Sequence, residues 1–262
     1  MTGVIRAELL KLTRKRVAIA TAIVLALAVA AVTGAVFAIA EPGGNAAFSR
    51  VPTLEDLAAA GGGTEAFSLG ASFLGIFVFV LFAANWSGEF SQATFRTLLL
   101  QQPRRASVLG GKYVGLLAYL AGLLAVSAAG TWVASLVAAP IAGVSTNAWF
   151  TLDAITEHAS AYANALIGLG AWATFGMALG VLIRSTPIAL AVGIAWAGPI
   201  EHITQEVWGA ASGLYPGLLI EALALGGTPE APYSRVILLT ALYVGLAIAA
   251  ALLSFGRRDI VN

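Results

Sequence analysis

Five stretches of this chain run for 20 residues or more without a single Asp, Glu, Lys or Arg. No other feature constrains the fold so strongly. A helix needs about 20 apolar residues to cross a hydrocarbon core about 30 Å thick. Residues 17–40 lie between Arg16 and Glu41, 66–87 between Glu65 and Glu89, 159–183 between His158 and Arg184, and 236–255 between Arg235 and Arg257. The gap from Lys112 to Asp153 holds 40 uncharged residues, and Pro140 is expected to end the helix inside it, giving 113–139. Residues 185–200 form a shorter sixth candidate. At about 1.5 Å per residue they reach only about 24 Å, so they would span with local bilayer thinning. The stretch after it is apolar but carries Gly209, Gly213, Pro216, Gly217 and Glu221. Irregular backbone is not tolerated facing lipid, so the stretch is expected to be re-entrant, interfacial or shielded by protein, and 204–227 is taken as a broken re-entrant hairpin.

Composition agrees. Hydrophobic residues make up 59% and charged residues 10% of the chain, against about 25% charged in soluble domains. A soluble globule could not hide that surface. The absence of cysteine excludes disulfides and thiolate chemistry, and a net charge of +1 excludes a nucleic-acid partner. The expected fold is an all-α polytopic membrane protein with six transmembrane helices in a single domain, 1–262.

Orientation follows from where the charges fall. With the N-terminus in the cytoplasm and six spans, 12 of the 14 basic residues lie inside, leaving only Arg50 and Arg235 outside. Of the 13 acids, only Glu8, Glu89 and Asp259 lie inside. A five-span count would put Arg257 and Arg258 outside, so both ends are expected in the cytoplasm of a multi-pass cell-membrane protein.

Two inner segments carry patterned residues. Within 1–16, Ile5, Leu9 and Leu12 recur at helical spacing among Arg6, Lys11, Arg14, Lys15 and Arg16, the pattern of an amphipathic helix in the interface plane. The connection 88–105 holds Phe95, Leu98 and Leu99 at helical spacing and is closed by Pro103. Glu89 is the one acid in any inner connection between spans, able to accept charge-assisted bonds.

These residues resemble the membrane subunits of ABC-2 type transporters. The likeness is carried by Glu8-Leu9-Leu10-Lys11-Leu12 feeding Arg14-Lys15-Arg16, Gly88-Glu89-Phe90 leaving the second span, Thr97-Leu98-Leu99, Pro103-Arg104-Arg105, and Gly111-Lys112 opening the third. The closing Arg257-Arg258-Asp259 also fits. The resemblance implies a permease without catalytic activity, paired with a second permease copy, identical or paralogous, and with separate ATPase subunits that hold ATP and Mg. Bilayer lipid is the remaining partner. The chain itself lacks a G-x-x-x-x-G-K-[ST] loop: Ala106 stands where the first Gly belongs, and Tyr113 follows Lys112. No cofactor is expected in this chain. The resemblance assigns ATPase coupling to Gly88, Glu89, Phe90, Phe95, Arg96, Leu99, Pro103, Arg104 and Arg105, with Ile5, Glu8, Leu9, Lys11 and Leu12 as a second contact. It implies export of an apolar or amphiphilic cargo such as a drug, antibiotic, lipid or peptide. The alternative is mechanical or assembly work on an external partner without flux.

The predicted spans themselves contain no ionisable acid or base, which argues against a proton- or sodium-driven carrier. Polar candidates for a cargo path are Thr33, Ser127, Thr131, Asn164 and Thr174, although such hydroxyls commonly bond a neighbouring helix. Gly176 and Gly180 form a G-x-x-x-G spacing and Ala18, Ala22, Ala26 and Ala30 a four-residue repeat, both suited to close helix packing in a dimer. His158 and His202 lack a third ligand at metal spacing. Most tryptophans fall near span ends; Trp172 does not.

Overall fold

The structure, a computed structural model, describes residues 2–40, 52–91, 105–209, 213–229 and 231–257. These are mostly helical, with no strand among them. In chain order the helices are α1 (Thr2–Leu12), α2 (Lys15–Ile39), α3 (Leu54–Ala58), α4 (Glu65–Ser91), α5 (Arg105–Ile141), α6 (Leu152–Ile183), α7 (Thr186–Ala195), α8 (Glu201–Val207), α9 (Pro216–Ala224) and α10 (Tyr233–Arg257). A π-helical turn, Trp196–Ile200, joins α7 to α8. Five helices, α2, α4, α5, α6 and α10, are long and apolar enough to cross a membrane. Each also shows large apolar side chains on its outer surface, among them Val24, Phe73, Val126, Ile167 and Leu242. Oily surface on every long helix suits hydrocarbon as the solvent, not water.

The centre of the bundle is the parallel pair α4 and α6, which descend side by side. Gly176 and Gly180 let their backbones touch. A Cβ on Gly176 would run into the Phe79 carbonyl, and one on Gly180 would come within 2.8 Å of the Ala83 carbonyl oxygen. The G-x-x-x-G spacing, expected to serve a dimer, is therefore consumed within one chain. Trp172 packs over Gly75 and meets Phe79 edge-on, with centroids 6.0 Å apart and planes at 74°. Of the alanine repeat on α2, Ala22, Ala26 and Ala30 face outward.

Both described ends of the chain meet at one end of the bundle, here the proximal end. Lys11 reaches Glu89, and Phe90 meets Phe255. At the distal end, Val36, Phe37, Leu57, Ala139, Val144 and Trp149 form a second small core. Helix α3 starts with a capping box between Thr53 and Asp56, and the Trp149 indole donates to the Leu57 carbonyl at 2.9 Å.

Several boundaries differ from the sequence expectation. Helix α5 does not stop before Pro140; it continues to Ile141. Pro140 gives up its own N–H bond and crowds the carbonyl four residues back, yet only one further residue is helical after it. The stop comes from Gly143, which takes φ 72° and lets Val144 N donate to the Ala139 carbonyl at 2.9 Å. Gly88, Glu89 and Phe90 do not leave the helix; they form part of the last turns of α4. The stretch 186–207 is continuously helical, so residues 204–207 extend the ascending helix and do not open a hairpin.

Candidate functional site: a buried ion cluster at the proximal end

The site assembles where α1, the end of α4 and the start of α5 converge. Helix α1 turns Val4 and Glu8 inward, both buried, with Ile5, Leu9 and Leu12 half-buried at its sides. It can approach α5 because Gly115 offers no side chain: a Cβ there would lie 3.1 Å from the Glu8 Cβ and 3.3 Å from the Ile5 carbonyl. The helix ends as Thr13 Oγ1 donates to the Leu9 carbonyl at 2.7 Å, and Arg14 turns extended to launch α2.

Lys112 is the centre. It is 1% exposed, one of the most buried side chains of the described chain. Its ammonium donates to Glu89 Oε1 at 2.5 Å and to Glu8 Oε1 at 3.1 Å. It also sits over the Trp86 ring, 5.4 Å from the centroid, where the ring face attracts a cation. Lys11, half exposed, reaches the same Glu89 oxygen at 3.4 Å. Two carboxylates and two ammoniums thus interlock three helices. One partner of Lys112 lies 104 residues away in sequence and the other 23.

A second contact layer adjoins it. Helix α6 ends on Arg184, in the left-handed conformation at φ 56°, which a non-glycine residue adopts only at some cost. Its guanidinium lies 4.8 Å from the centroid of the Phe90 ring. Phe90 meets Phe255 of α10 edge-on at 6.1 Å. Ser87 donates to the Ala83 carbonyl at 2.6 Å and shares a 2.8 Å hydrogen bond with Thr186 at the start of α7. Helices α4, α6, α7 and α10 therefore all bear on the few residues 86–90.

Among the residues expected to couple, Glu89 and Phe90 are in the cluster and Gly88 is in the same turn of α4, while Arg105 opens α5. Phe95, Arg96, Leu99, Pro103 and Arg104 lie outside the described residues. Ile5, Glu8, Leu9, Lys11 and Leu12 are all on α1 as expected. Glu8 points inward, held by Lys112. Lys112 is the residue that sequence reasoning missed. In the sequence it marked the edge of a span and formed part of the resemblance, and the signal available was the two lone acids, Glu8 and Glu89, on a basic side of the chain.

The candidate path residues do not come together. Ser127 and Thr131 line a small apolar cavity of about 50 Å³ between α2, α4 and α5. Thr174 shares a 2.5 Å hydrogen bond with Tyr113 in a lateral cleft of about 630 Å³ between α5, α6 and α10. Asn164 accepts from Tyr233 at 2.9 Å near the distal end, and Thr33 is buried on α2. His158 and His202 each engage the carbonyl four residues back, at 2.6 and 2.8 Å. Among the described residues no three His, Asp or Glu side chains converge as metal ligands.

The interior is less charge-free than the sequence reading expected. Glu201 is 1% exposed. Counting about 1.5 Å per residue from Thr186, it lies on the order of 20 Å into the bundle. Helix α9 begins beside it. Leu218 N donates to Glu201 Oε2 at 3.0 Å, and Gly217 leaves room for the carboxylate and for Trp172. The acid thus caps the free N–H groups at the start of a helix that rises past Gly168 toward Asn164. Helix α9 is thus folded back among the long helices, packed against α4, α6 and α10.

A protein-family model described as "Protein of unknown function (DUF2705)" matches residues 19–194, from α2 into α7. No curated protein matches the chain.

Proposed function

We propose that the chain, which belongs to the DUF2705 family, is the permease subunit of an ATP-driven exporter of the ABC-2 type. In this reading the chain crosses the cell membrane six times with both ends in the cytoplasm. The fifth crossing is the helical run from Thr186 through the π turn to Val207. Its 22 residues would cover about 33 Å, removing the length objection to a short fifth span.

One observation carries the proposal: the Glu8–Lys112–Glu89–Lys11 cluster. The connection 92–104 leaves from α4 and returns into α5, so both of its roots lie close to the cluster. Any force applied to that connection by an ATPase reaches Glu89 and Lys112 first. From there it passes to α1 through Glu8, and to α6, α7 and α10 through residues 86–90. This geometry suits a two-state coupler, in which a small shift at one point biases the packing of several helices. The chain supplies no phosphate cradle, so ATP and Mg belong to the separate ATPase. The cargo is apolar or amphiphilic, moved between this permease and a second copy.

The test is co-expression with a cognate ATPase subunit. The two should co-purify, and Glu89→Ala should lower ATP turnover of the complex while leaving assembly intact. Unchanged turnover would remove the coupling role. ATP hydrolysis without flux into inverted vesicles would favour mechanical work on an external partner instead.

A further inference from the structure

We propose that the outer face of α1, with the Arg14-Lys15-Arg16 corner, is a binding site for the headgroup of an anionic phospholipid. The proposal is independent of the exporter reading. It needs only that the long helices cross a bilayer.

Helix α1 has two faces with opposite roles. Its one acid, Glu8, is committed inward to Lys112. Left outside are Arg6, Lys11, Arg14, Lys15 and Arg16, all exposed. Among the described residues only Lys11 has an acidic partner. Five cations within 11 residues repel one another unless anions sit among them, and clusters of about 4–8 basic residues beside a membrane span attract anionic lipid.

The charges do not stand alone. Leu10, 60% exposed, lies among them, and a shallow groove of about 290 Å³ runs along the helix between Thr2, Ile5, Arg6, Leu9, Leu10 and Thr13. Cationic heads above an apolar floor match a phosphate ester with an acyl chain beneath it. The floor also continues into the membrane belt: α2 follows directly, with Val17, Ile19, Ile23 and Val24 exposed. This places the patch at headgroup depth, where a soluble acidic protein would have to displace lipid to reach Leu10.

Lys11 links this site to the ion cluster. It is half exposed and 3.4 Å from Glu89. A headgroup phosphate that draws its ammonium outward leaves Glu89 to Lys112. The charge of that leaflet is thus felt at the base of the 92–104 connection.

The experiment uses the full chain in mixed micelles, with native mass spectrometry comparing retention of phosphatidylglycerol and phosphatidylcholine. The wild type should retain phosphatidylglycerol preferentially, and added salt should weaken the preference. Each surface charge contributes about fivefold, so Arg6→Gln/Lys11→Gln should lower it roughly 25-fold. This pair leaves residues 14–16, which orient α2, untouched, and the salt series needs no substitution at all. Equal retention of the two lipids by the wild type would overturn the proposal. So would a preference that survives both the double variant and high salt. A wild type indifferent to lipid charge, whose double variant loses a bound acidic protein, would assign the face to protein and also overturn it.

Discussion

Replacing Lys112 by methionine removes the one cation that faces both Glu8 and Glu89. Unit charges 3.1 Å apart attract by about 5 kcal/mol at an effective dielectric of about 20. Two such arms act on this ammonium. Against them stands a desolvation penalty of several kcal/mol for each buried ion. Formation of the cluster is therefore nearly balanced, but breaking it is not. Lys112→Met takes from Glu8 the one cation it meets among the described residues and from Glu89 its nearest one, in a site where each carboxylate is about 10% exposed. Removing one member of a buried ion cluster costs about 3–5 kcal/mol. The assay is unfolding in mixed dodecyl maltoside and SDS micelles, followed by tryptophan fluorescence, since the Trp86 ring lies 5.4 Å from the ammonium. Neutralising all three with Glu8→Gln, Glu89→Gln and Lys112→Met should recover most of the loss, because no charge then remains buried. A single variant within about 1 kcal/mol of wild type, or a triple variant no better than the single, would refute the reasoning.

Gly180→Val inserts a branched side chain between α4 and α6 where a Cβ already meets the Ala83 carbonyl at 2.8 Å; overpacking of this kind costs about 1–3 kcal/mol or more, read as a lower thermal midpoint and loss of monodispersity. Glu201→Ala leaves the first N–H groups of α9 without their acceptor and should cost about 1–3 kcal/mol, seen as faster amide exchange confined to 216–219, whereas Glu201→Gln retains an acceptor oxygen and should lose less. Trp149→Phe removes the hydrogen bond to the Leu57 carbonyl at 2.9 Å and should cost about 1 kcal/mol, with exchange rising in α3 and not at the proximal end.

The long helices were legible because the bilayer imposes a length and an apolar composition that charge-free runs display directly. Their ends were less so. Charged residues such as Lys15, Glu65, Glu89 and Lys112 continue the helices past the oily segment, since backbone hydrogen bonding does not stop where hydropathy does. Glu8 and Glu89 could be singled out as isolated acids on a basic side, but their shared partner could not. Helical spacing on α1 says which residues share a face, not which distant helix that face meets. Glu201 was assigned to an outer connection for a similar reason. The helix that begins at Thr186 runs on through Glu201 to Val207, and only the later Pro216-Gly217 start, which needs a cap, marks the place. The Gly176 and Gly180 spacing was read correctly as a close approach, yet sequence alone does not tell a neighbour in the same chain from one in a second copy.

The central claim is that ATP hydrolysed elsewhere drives this bundle through its proximal ion cluster. Inverted membrane vesicles containing the chain and its ATPase, with a fluorescent lipophilic amphiphile added to the medium outside, test it most directly. The account predicts accumulation that requires ATP and is lost in Glu89→Ala although the complex still assembles. Accumulation driven by a proton gradient without ATP, or ATP-dependent accumulation unchanged by Glu89→Ala, would contradict it.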